Sequence, residues 1–267
     1  MARDAQVDNT WTAAFPKLPQ YYCVGAPLGK VNPSNLTTIA RGQPAVWRRG
    51  DLDVAFRRVT SPRYVDGATE LTVLHRDVTE ENSSWLVQFD HFASAWEIAG
   101  ILANGDEQGF SSSLVKSSAN RYRGVVDPIA RTSSQSLVSV ANNLTAAVES
   151  LVRKLERLVG IDREHFESLG VLRYQPGEYY KLHHDVGARA MRGVRLLSGM
   201  LYLSNVAQGG ATGFPVLGTS VQPRPGRLVL WANTLSAAPR QRHMWMIHEA
   251  LTVREGTKYG VNVWINS

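Results

Sequence analysis

The densest group of possible metal ligands is the run His183-His184-Asp185, inside the segment EYYKLHHDV. The aromatic and aliphatic residues of this segment predict a β-strand. Because side chains alternate between the two faces of a strand, His183 and Asp185 should point to one side and His184 to the other. An imidazole and a carboxylate on one face form a ready pair of metal ligands.

A second histidine from a distant strand would complete a set of two histidines and one carboxylate on one side of a metal ion. That arrangement leaves coordination positions open and suits a non-heme iron(II) that binds further small molecules. The best candidate is His248 in MWMIHEAL, whereas His243 stands at the arginine-rich start of the same predicted strand. A His-x-Asp pair alone is a weak signal, and a buried hydrogen bond between the two residues would also satisfy them.

Lys258 is of interest because of its position relative to His248. The Glu255-Gly256 step predicts a turn between them, so the lysine should return on the neighbouring strand. A 2-oxo acid that chelates the metal could then reach this cation with its far carboxylate. A lone lysine is more often a solvated surface side chain, and only its distance along the hairpin favours the binding interpretation.

Composition narrows the class of protein. With 267 residues, 43% hydrophobic and 19% charged, the chain is typical of globular proteins, and no apolar run is long enough to span a membrane. A single cysteine, Cys23, excludes an internal disulfide and a cysteine-built zinc site. The net charge of +6 is scattered rather than clustered, so we expect no nucleic-acid partner. The start MARDAQVDNTWTAAFPKLPQ lacks the apolar core of a secretory signal, which favours a cytoplasmic location.

The N-terminal third has weak periodicity. Residues 1 to about 45 are rich in Pro, Gly, Asn and Thr and predict irregular structure. Short β-like runs follow at 51–59 (DLDVAFRRV) and 70–74 (ELTVL). We therefore interpret residues 1–84 as an N-terminal extension of unknown role that is partly β.

The pattern of apolar and polar residues changes from Trp85 onward. WLVQFDHF predicts a strand, a helix is expected near residues 93–102, and apolar residues at three- and four-residue steps predict a longer helix over 135–159. After residue 168 the pattern is β to the end, with Gly- and Pro-bearing turns between strands. Helices followed by antiparallel strands predict an α+β domain over 85–267 with a barrel-like β-sandwich.

The motifs YQPGEYYKLHHDV, RLLSGMLYLSNVAQGGATGFP, VQPRPGRLVLW and IHEALTVREGTKYGVNVWI occur in this order over residues 174–265. Together they resemble the catalytic domain of prolyl 4-hydroxylases, which are iron(II)- and 2-oxoglutarate-dependent dioxygenases. The resemblance extends more weakly to Trp85 through RTSSQSLV and FASAWEI. It implies a double-stranded β-helix core, of the jelly-roll or cupin-like kind, flanked by helices.

Site roles follow by position from the resemblance. The implied iron ligands are His183, Asp185 and His248. The implied 2-oxoglutarate contacts are Lys258 and Tyr174, toward the C5 carboxylate, and Thr212 in GGATGFP. The implied contacts to a substrate peptide are Arg195, Tyr180 and Trp264, although core packing explains the two aromatic residues equally well.

The resemblance implies hydroxylation of a prolyl residue in a protein or peptide, with 2-oxoglutarate and O2 as co-substrates and ascorbate as reductant. Two departures leave the substrate open: Ala211 replaces the family's acidic residue, and the segment between Asp185 and Arg195, part of the peptide lid in relatives, is short. The same oxidation of a free amino acid or small metabolite is the alternative. A non-catalytic binding module is a third, and the sequence does not indicate the oligomeric state.

Overall fold

The computed structural model describes residues 48–65, 67–78, 83–116, 124–142, 144–186 and 193–267. The α-helices in these ranges are α1 (Asp51–Val59), α2 (Ala95–Gln108) and α3 (Ala146–Val159). Short 3₁₀ turns lie at Pro62–Tyr64, Arg163–His165, Pro215–Leu217 and Met244–Met246. The strands are, in chain order, β1 (Glu70–Val78), β2 (Ser83–Asp90), β3 (Ser111–Ser112), β4 (Val115–Lys116), β5 (Gly124–Val125), β6 (Ser134–Val138), β7 (Leu169–Tyr174), β8 (Tyr180–His183), β9 (Arg195–Tyr202), β10 (Gln208–Gly209), β11 (Thr212–Phe214), β12 (Thr219–Val221), β13 (Leu228–Ala232), β14 (His248–Ala250), β15 (Val253–Glu255) and β16 (Lys258–Asn266).

Two antiparallel sheets carry the architecture. The larger has the order β1-β2-β13-β9-β16-β7-β6-β3, and the smaller has the order β12-β11-β14-β8. One apolar cluster joins residues of the helices, such as Leu151, to the helix-facing side of the larger sheet, such as Val171. The second joins Leu172 and Met200 of the larger sheet to Phe214 of the smaller one. The larger sheet is thus covered by helices on one face and by the smaller sheet on the other, as expected for an α+β domain.

The predicted helix over 135–159 is wrong in its first part. Residues 134–138 form β6, which pairs with β7, and α3 begins only at Ala146 after the cap Thr145. Ser136 and Val138 are buried and Leu137 between them is exposed, which is the two-residue period of a strand. The three- and four-residue apolar spacing that predicts the helix also fits residues 135–138. Burial in that segment, however, alternates with the two-residue period of a strand.

The predicted β-run at Asp51–Val59 is also wrong, because this segment is helix α1. Its buried residues follow helical steps of three and four: Leu52, Ala55, Phe56 and Val59. The strand expected at 70–74 is confirmed as part of β1, and the helix expected near 93–102 is confirmed as α2.

Residues 48–78 share the core of the rest of the chain. The Phe56 ring stacks on Trp85 with ring centroids 5.5 Å apart, and the Trp85 indole donates to Asp53 at 3.0 Å. Strand β1 pairs along its length with β2. The irregular structure expected for residues 1 to about 45 lies outside the described residues. Among the described helices, none combines the length and apolar composition that crossing a membrane requires.

Candidate metal and co-substrate site

The smaller sheet brings the two histidines of the site together. His183 at the end of β8 and His248 at the start of β14 are register partners, and their ring centroids lie 4.3 Å apart. Asp185 follows just beyond the end of β8, and one ligand atom from each of the three residues lies within 4.8 Å of the others. These three form the one cluster of at least three possible metal ligands within the described residues.

Both histidines present the same ring nitrogen to the cluster. Each Nδ1 lies 2.8 Å from a backbone carbonyl oxygen two residues earlier, that of Lys181 for His183 and that of Met246 for His248. Because a carbonyl oxygen only accepts, Nδ1 must carry the proton, which leaves the lone pair on Nε2. The two Nε2 atoms face Asp185, at 3.8 and 3.7 Å from its carboxylate oxygens.

A chain of hydrogen bonds fixes the Asp185 carboxylate. Its Oδ2 accepts from the Ser198 hydroxyl at 2.6 Å and from the Trp264 indole at 3.1 Å. Asn233 in turn donates to the Ser198 oxygen at 2.7 Å, so the serine proton is directed at Asp185. Such partners behind a ligand orient it and raise metal affinity.

The protonation states suit a divalent metal. Burial, helped by the neighbouring His248, lowers the pKa of His183 to about 3, so this imidazole is neutral at physiological pH. Burial would raise the pKa of Asp185, but its interactions with His248, His183 and Arg195 and the Ser198 hydrogen bond hold it below its usual range. Two histidines and one carboxylate on one side of a metal are the donor set of non-heme iron(II) sites. The residues present therefore fit iron(II).

Lys258 supplies a buried cation beside this cluster. It is the cross-strand partner of Tyr174 and 0% exposed, and its Nζ has no hydrogen-bond partner in the part of the chain that the structure describes. The Nζ lies 5.1 Å from the ring centroid of Tyr174 and 5.4 Å from that of Tyr202. Burial lowers its pKa to about 7. A carboxylate bound at this point would satisfy the ammonium group.

Thr212 is connected to the surroundings of Lys258 through Tyr202, a residue that the sequence analysis did not identify. The Tyr202 hydroxyl lies 2.6 Å from the Thr212 hydroxyl and 3.1 Å from the Val221 carbonyl oxygen, which accepts its proton. The signal for Tyr202 is strand alternation: it pairs with Gly260, two residues from Lys258, and therefore shares the face of the lysine. That signal becomes readable only once the pairing of β9 with β16 is known.

A cavity of about 500 Å³ gathers the site. Of the residues proposed from sequence, its walls contain His183, Asp185, His248, Tyr174, Thr212, Arg195, Tyr180 and Trp264, and Lys258 lies buried beside Tyr174. The Tyr180 ring stacks on His183 with centroids 3.6 Å apart. The structure thus brings all nine residues to one place.

Arg195 is held from two sides. Its guanidinium makes a bidentate ion pair with Glu167, at 2.6 and 2.7 Å, and lies 3.7 Å above the ring of Trp264. It also comes within 4.0 Å of the Asp185 carboxylate. Arg195 and Trp264 therefore help to position the Asp185 carboxylate, and their contact with a substrate stays a prediction.

The structure settles the choice between the two downstream histidines. His243 lies outside the ligand cluster, and its backbone carbonyl accepts from the His184 ring at 3.0 Å. His184 thus bonds to the His243 backbone and is not part of the ligand cluster. Arg131, which the sequence interpretation left without a role, lies over the Tyr180 ring at 4.7 Å.

Comparison with known proteins agrees with this geometry. The model of the 2OG-Fe(II) oxygenase superfamily matches residues 169–266, the part of the chain that contains every residue of the cluster. Probable prolyl 4-hydroxylase 9 from Arabidopsis thaliana is 28% identical over 236 residues, or 75% of this chain and 79% of the relative. Residues 169–266 therefore form a 2OG-Fe(II) oxygenase domain, and the chain is similar to prolyl 4-hydroxylases.

Other relatives of this oxygenase cover less of its length. Prolyl 4-hydroxylase subunit alpha-1 from Gallus gallus is 32% identical over 127 residues, 45% of this chain, and the match spans 24% of that subunit. In fold, the oxygenase is similar to the viral collagen prolyl hydroxylase from Paramecium Bursaria Chlorella virus-1, with a TM-score of 0.52 and 24% identity over 67% of this chain and 94% of that one. The expected α+β fold with a double-stranded β-helix core is confirmed.

Proposed function

We propose that this oxygenase hydroxylates a prolyl residue within a peptide or protein, with 2-oxoglutarate and O2 as co-substrates and ascorbate as reductant. The observation that carries the proposal is a His-Asp-His cluster in a cavity whose wall includes Tyr174, with a buried lysine beside that tyrosine that has no hydrogen-bond partner among the described residues. The first fits iron(II), and the second fits the far carboxylate of a dicarboxylic 2-oxo acid.

The chain's own residues divide the work between them. His183, Asp185 and His248 would hold the metal from one side and leave its other positions open. Lys258 would bind the C5 carboxylate of 2-oxoglutarate, with Tyr174 and Thr212 beside it. Bound iron(II) supplies activation of O2 coupled to decarboxylation of 2-oxoglutarate, giving succinate, carbon dioxide and a hydroxylated product.

Two aromatic rings at the metal cluster support a prolyl substrate. Tyr180 stacks on His183, and Trp264 donates to Asp185, so both rings lie within reach of a residue bound at the open side of the metal. Aromatic surfaces accept pyrrolidine rings and extended proline-rich chains. The similarity to probable prolyl 4-hydroxylase 9 from Arabidopsis thaliana supports this choice.

The test is succinate formation from 2-oxoglutarate, measured with and without iron(II) and a proline-rich peptide. We expect peptide-stimulated succinate and hydroxyproline in the wild type and in His165→Ala, a histidine outside the cavity. His183→Ala should abolish both products. Omitting ascorbate should shorten the linear phase of turnover.

Two results would redirect the proposal. Iron-dependent succinate that no peptide stimulates, but that a free amino acid does, would keep the chemistry and replace the substrate. Equal succinate from the wild type and His183→Ala would contradict the assigned metal site.

A further inference from the structure

Exposed apolar side chains are concentrated in the part of the chain between β3 and the end of β6. Nine large hydrophobic residues are exposed among the described residues, and five of these fall between positions 114 and 137. They are Leu114, Val125, Val126, Ile129 and Leu137, which are 41% to 69% exposed. Single exposed apolar residues are ordinary, whereas a contiguous group of them marks an interaction site.

This patch borders a second groove, of about 520 Å³. The groove is lined by Gln108, Gly109, Ser111, Ser112, Leu114, Val126, Gln135, Ser136 and Leu137. Three of these residues, Leu114, Gln135 and Leu137, also line the catalytic cavity. The two spaces therefore adjoin along these residues, and none of the residues that line the groove carries a charge.

A row of residues across the larger sheet connects the groove to the metal site. Leu137 on β6 pairs with Gly170 on β7, Gly170 with Asn262 on β16, and Asn262 with Met200 on β9. Leu137, Asn262 and Met200 all line the catalytic cavity. Gly170 lies between Leu137 and Asn262 in this row and has no side chain, so the row is lowest at this position, and we call the row the trough.

The sheet edge beside the groove is only partly covered. Strand β3 pairs with Ser134 and Gln135 alone, so residues 136–138 of β6 have a strand partner on the β7 side only within the described part of the chain. An uncovered edge offers backbone donors and acceptors to an extended peptide, and side-chain pockets beside it add specificity.

We propose that the segment of the substrate polypeptide flanking the target residue lies along this trough and docks, uncharged and extended, in the groove at the edge of β6. The proposal rests on the proposed function. Three interstrand steps of about 4.8 Å separate β9 from β6, so the groove lies roughly 15 Å from the metal side of the trough. An extended chain covers that span with about four or five residues, so a short peptide cannot occupy both places.

Side-chain contacts through Arg131 connect the rim of the groove to the metal site. The Leu114 carbonyl accepts from the Arg131 guanidinium at 3.3 Å, Arg131 lies over the Tyr180 ring, and Tyr180 stacks on His183. The rim of the groove is thus held by the side chains that pack on a metal ligand. A docked segment should therefore lower the KM for peptide without needing a lysine or arginine of its own.

The test compares two uncharged peptides with the same central proline, of about five and about fifteen residues. For the wild type, the KM of the long peptide should be roughly tenfold lower. Val126→Asp places a charge in the groove, and Gly170→Val fills the trough at a position where an added Cβ meets only Asn262, at 3.7 Å. Each substitution should abolish most of the advantage of the long peptide. Trp96→Asp, at an exposed apolar residue of α2 that lines neither cavity, is the matched control and should preserve it.

Fluorescence anisotropy of a labelled long peptide gives a readout that needs no turnover. Weaker binding to Val126→Asp and Gly170→Val than to Trp96→Asp would support docking even if no peptide were hydroxylated, in which case the proposed function alone would fail. Equal turnover and binding of both peptides by the wild type would overturn docking and leave the function standing. The docking proposal would also be overturned if the long peptide kept its lower KM in both Val126→Asp and Gly170→Val. Absence of both binding and turnover in the wild type would overturn both proposals.

Discussion

His183 and His248 lie directly opposite each other on the antiparallel strands β8 and β14, 65 positions apart in sequence. Their Nδ1 atoms donate to backbone carbonyls two residues earlier, so both Nε2 lone pairs turn toward the Asp185 carboxylate. The metal cluster is therefore a product of strand pairing in the smaller sheet. Any change that shifts the register of β14 against β8 should separate the ligands.

His248→Ala should abolish the stabilisation of the protein by a divalent metal. In the wild type, metal added at about 100 times its Kd should raise the free energy of unfolding by about 2.7 kcal/mol, because only the folded state holds the three ligands together. Thermal unfolding with and without iron(II), under anaerobic conditions, measures the effect. His165→Ala should respond like the wild type, and a metal response retained by His248→Ala would contradict the ligand assignment.

Ser198→Ala should weaken metal binding without removing a ligand. The Ser198 hydroxyl donates to Asp185 at 2.6 Å, and loss of such a partner typically lowers metal affinity 10- to 100-fold. Trp264→Phe, which keeps an aromatic ring but removes the indole donor, should have a smaller effect in the same direction. Isothermal titration with iron(II) compares the two, and unchanged affinity in both variants would show that these hydrogen bonds do not orient the carboxylate.

Lys258→Met should change how stability depends on pH. Burial lowers the pKa of Lys258 to about 7 in the folded protein, against an ordinary value of 10.5. Between these values the unfolded chain binds more protons, so wild-type stability should rise with pH from about 7 to 10.5, by at most about 1.4 kcal/mol for each pH unit. Below pH 7 the full cost of the buried charge is present, and the methionine variant should be the more stable protein there.

The same substitution separates stability from co-substrate binding. Lys258→Met should raise the KM for 2-oxoglutarate by two orders of magnitude or more, because the C5 carboxylate loses its charged partner in a dry site. Denaturant unfolding at pH 6 and pH 9 and steady-state kinetics together provide the check. A variant with the stability–pH slope of the wild type would contradict a buried, unpaired lysine.

Phe56→Ala tests whether α1 belongs to the core of the oxygenase. The Phe56 ring is buried and stacks on Trp85, so its truncation should cost about 3 to 5 kcal/mol in the free energy of unfolding. Arg57→Ala, at the exposed neighbouring position, should cost less than about 0.5 kcal/mol. A single cooperative transition that Phe56→Ala does not shift would show that α1 is dispensable for the rest of the fold.

Local patterns and the family resemblance together predicted the residues of the cluster. The two-residue spacing of His183 and Asp185 predicted a common side, and both reach the cluster although Asp185 lies just beyond the end of β8. The same patterns failed at residues 135–138, where apolar residues fit a helical step but pairing with β7 made a strand. They failed again at Asp51–Val59, because a short segment with buried residues at helical steps also looks like a hydrophobic β-run.

The residues that support the cluster could not be predicted from local sequence patterns. Ser198 and Asn233 lie far from Asp185 along the chain, and only the pairing of β9 with β13 and β16 brings them behind its carboxylate. The charge state of Lys258 depends likewise on complete burial, which no spacing in the sequence reveals. The sequence by itself determined the ligand types and the faces on which they stand, since alternation is a local property of the backbone. The tertiary structure decided which groups surround them, because hydrogen bonds, burial and a continuous trough arise between strands that are distant in sequence.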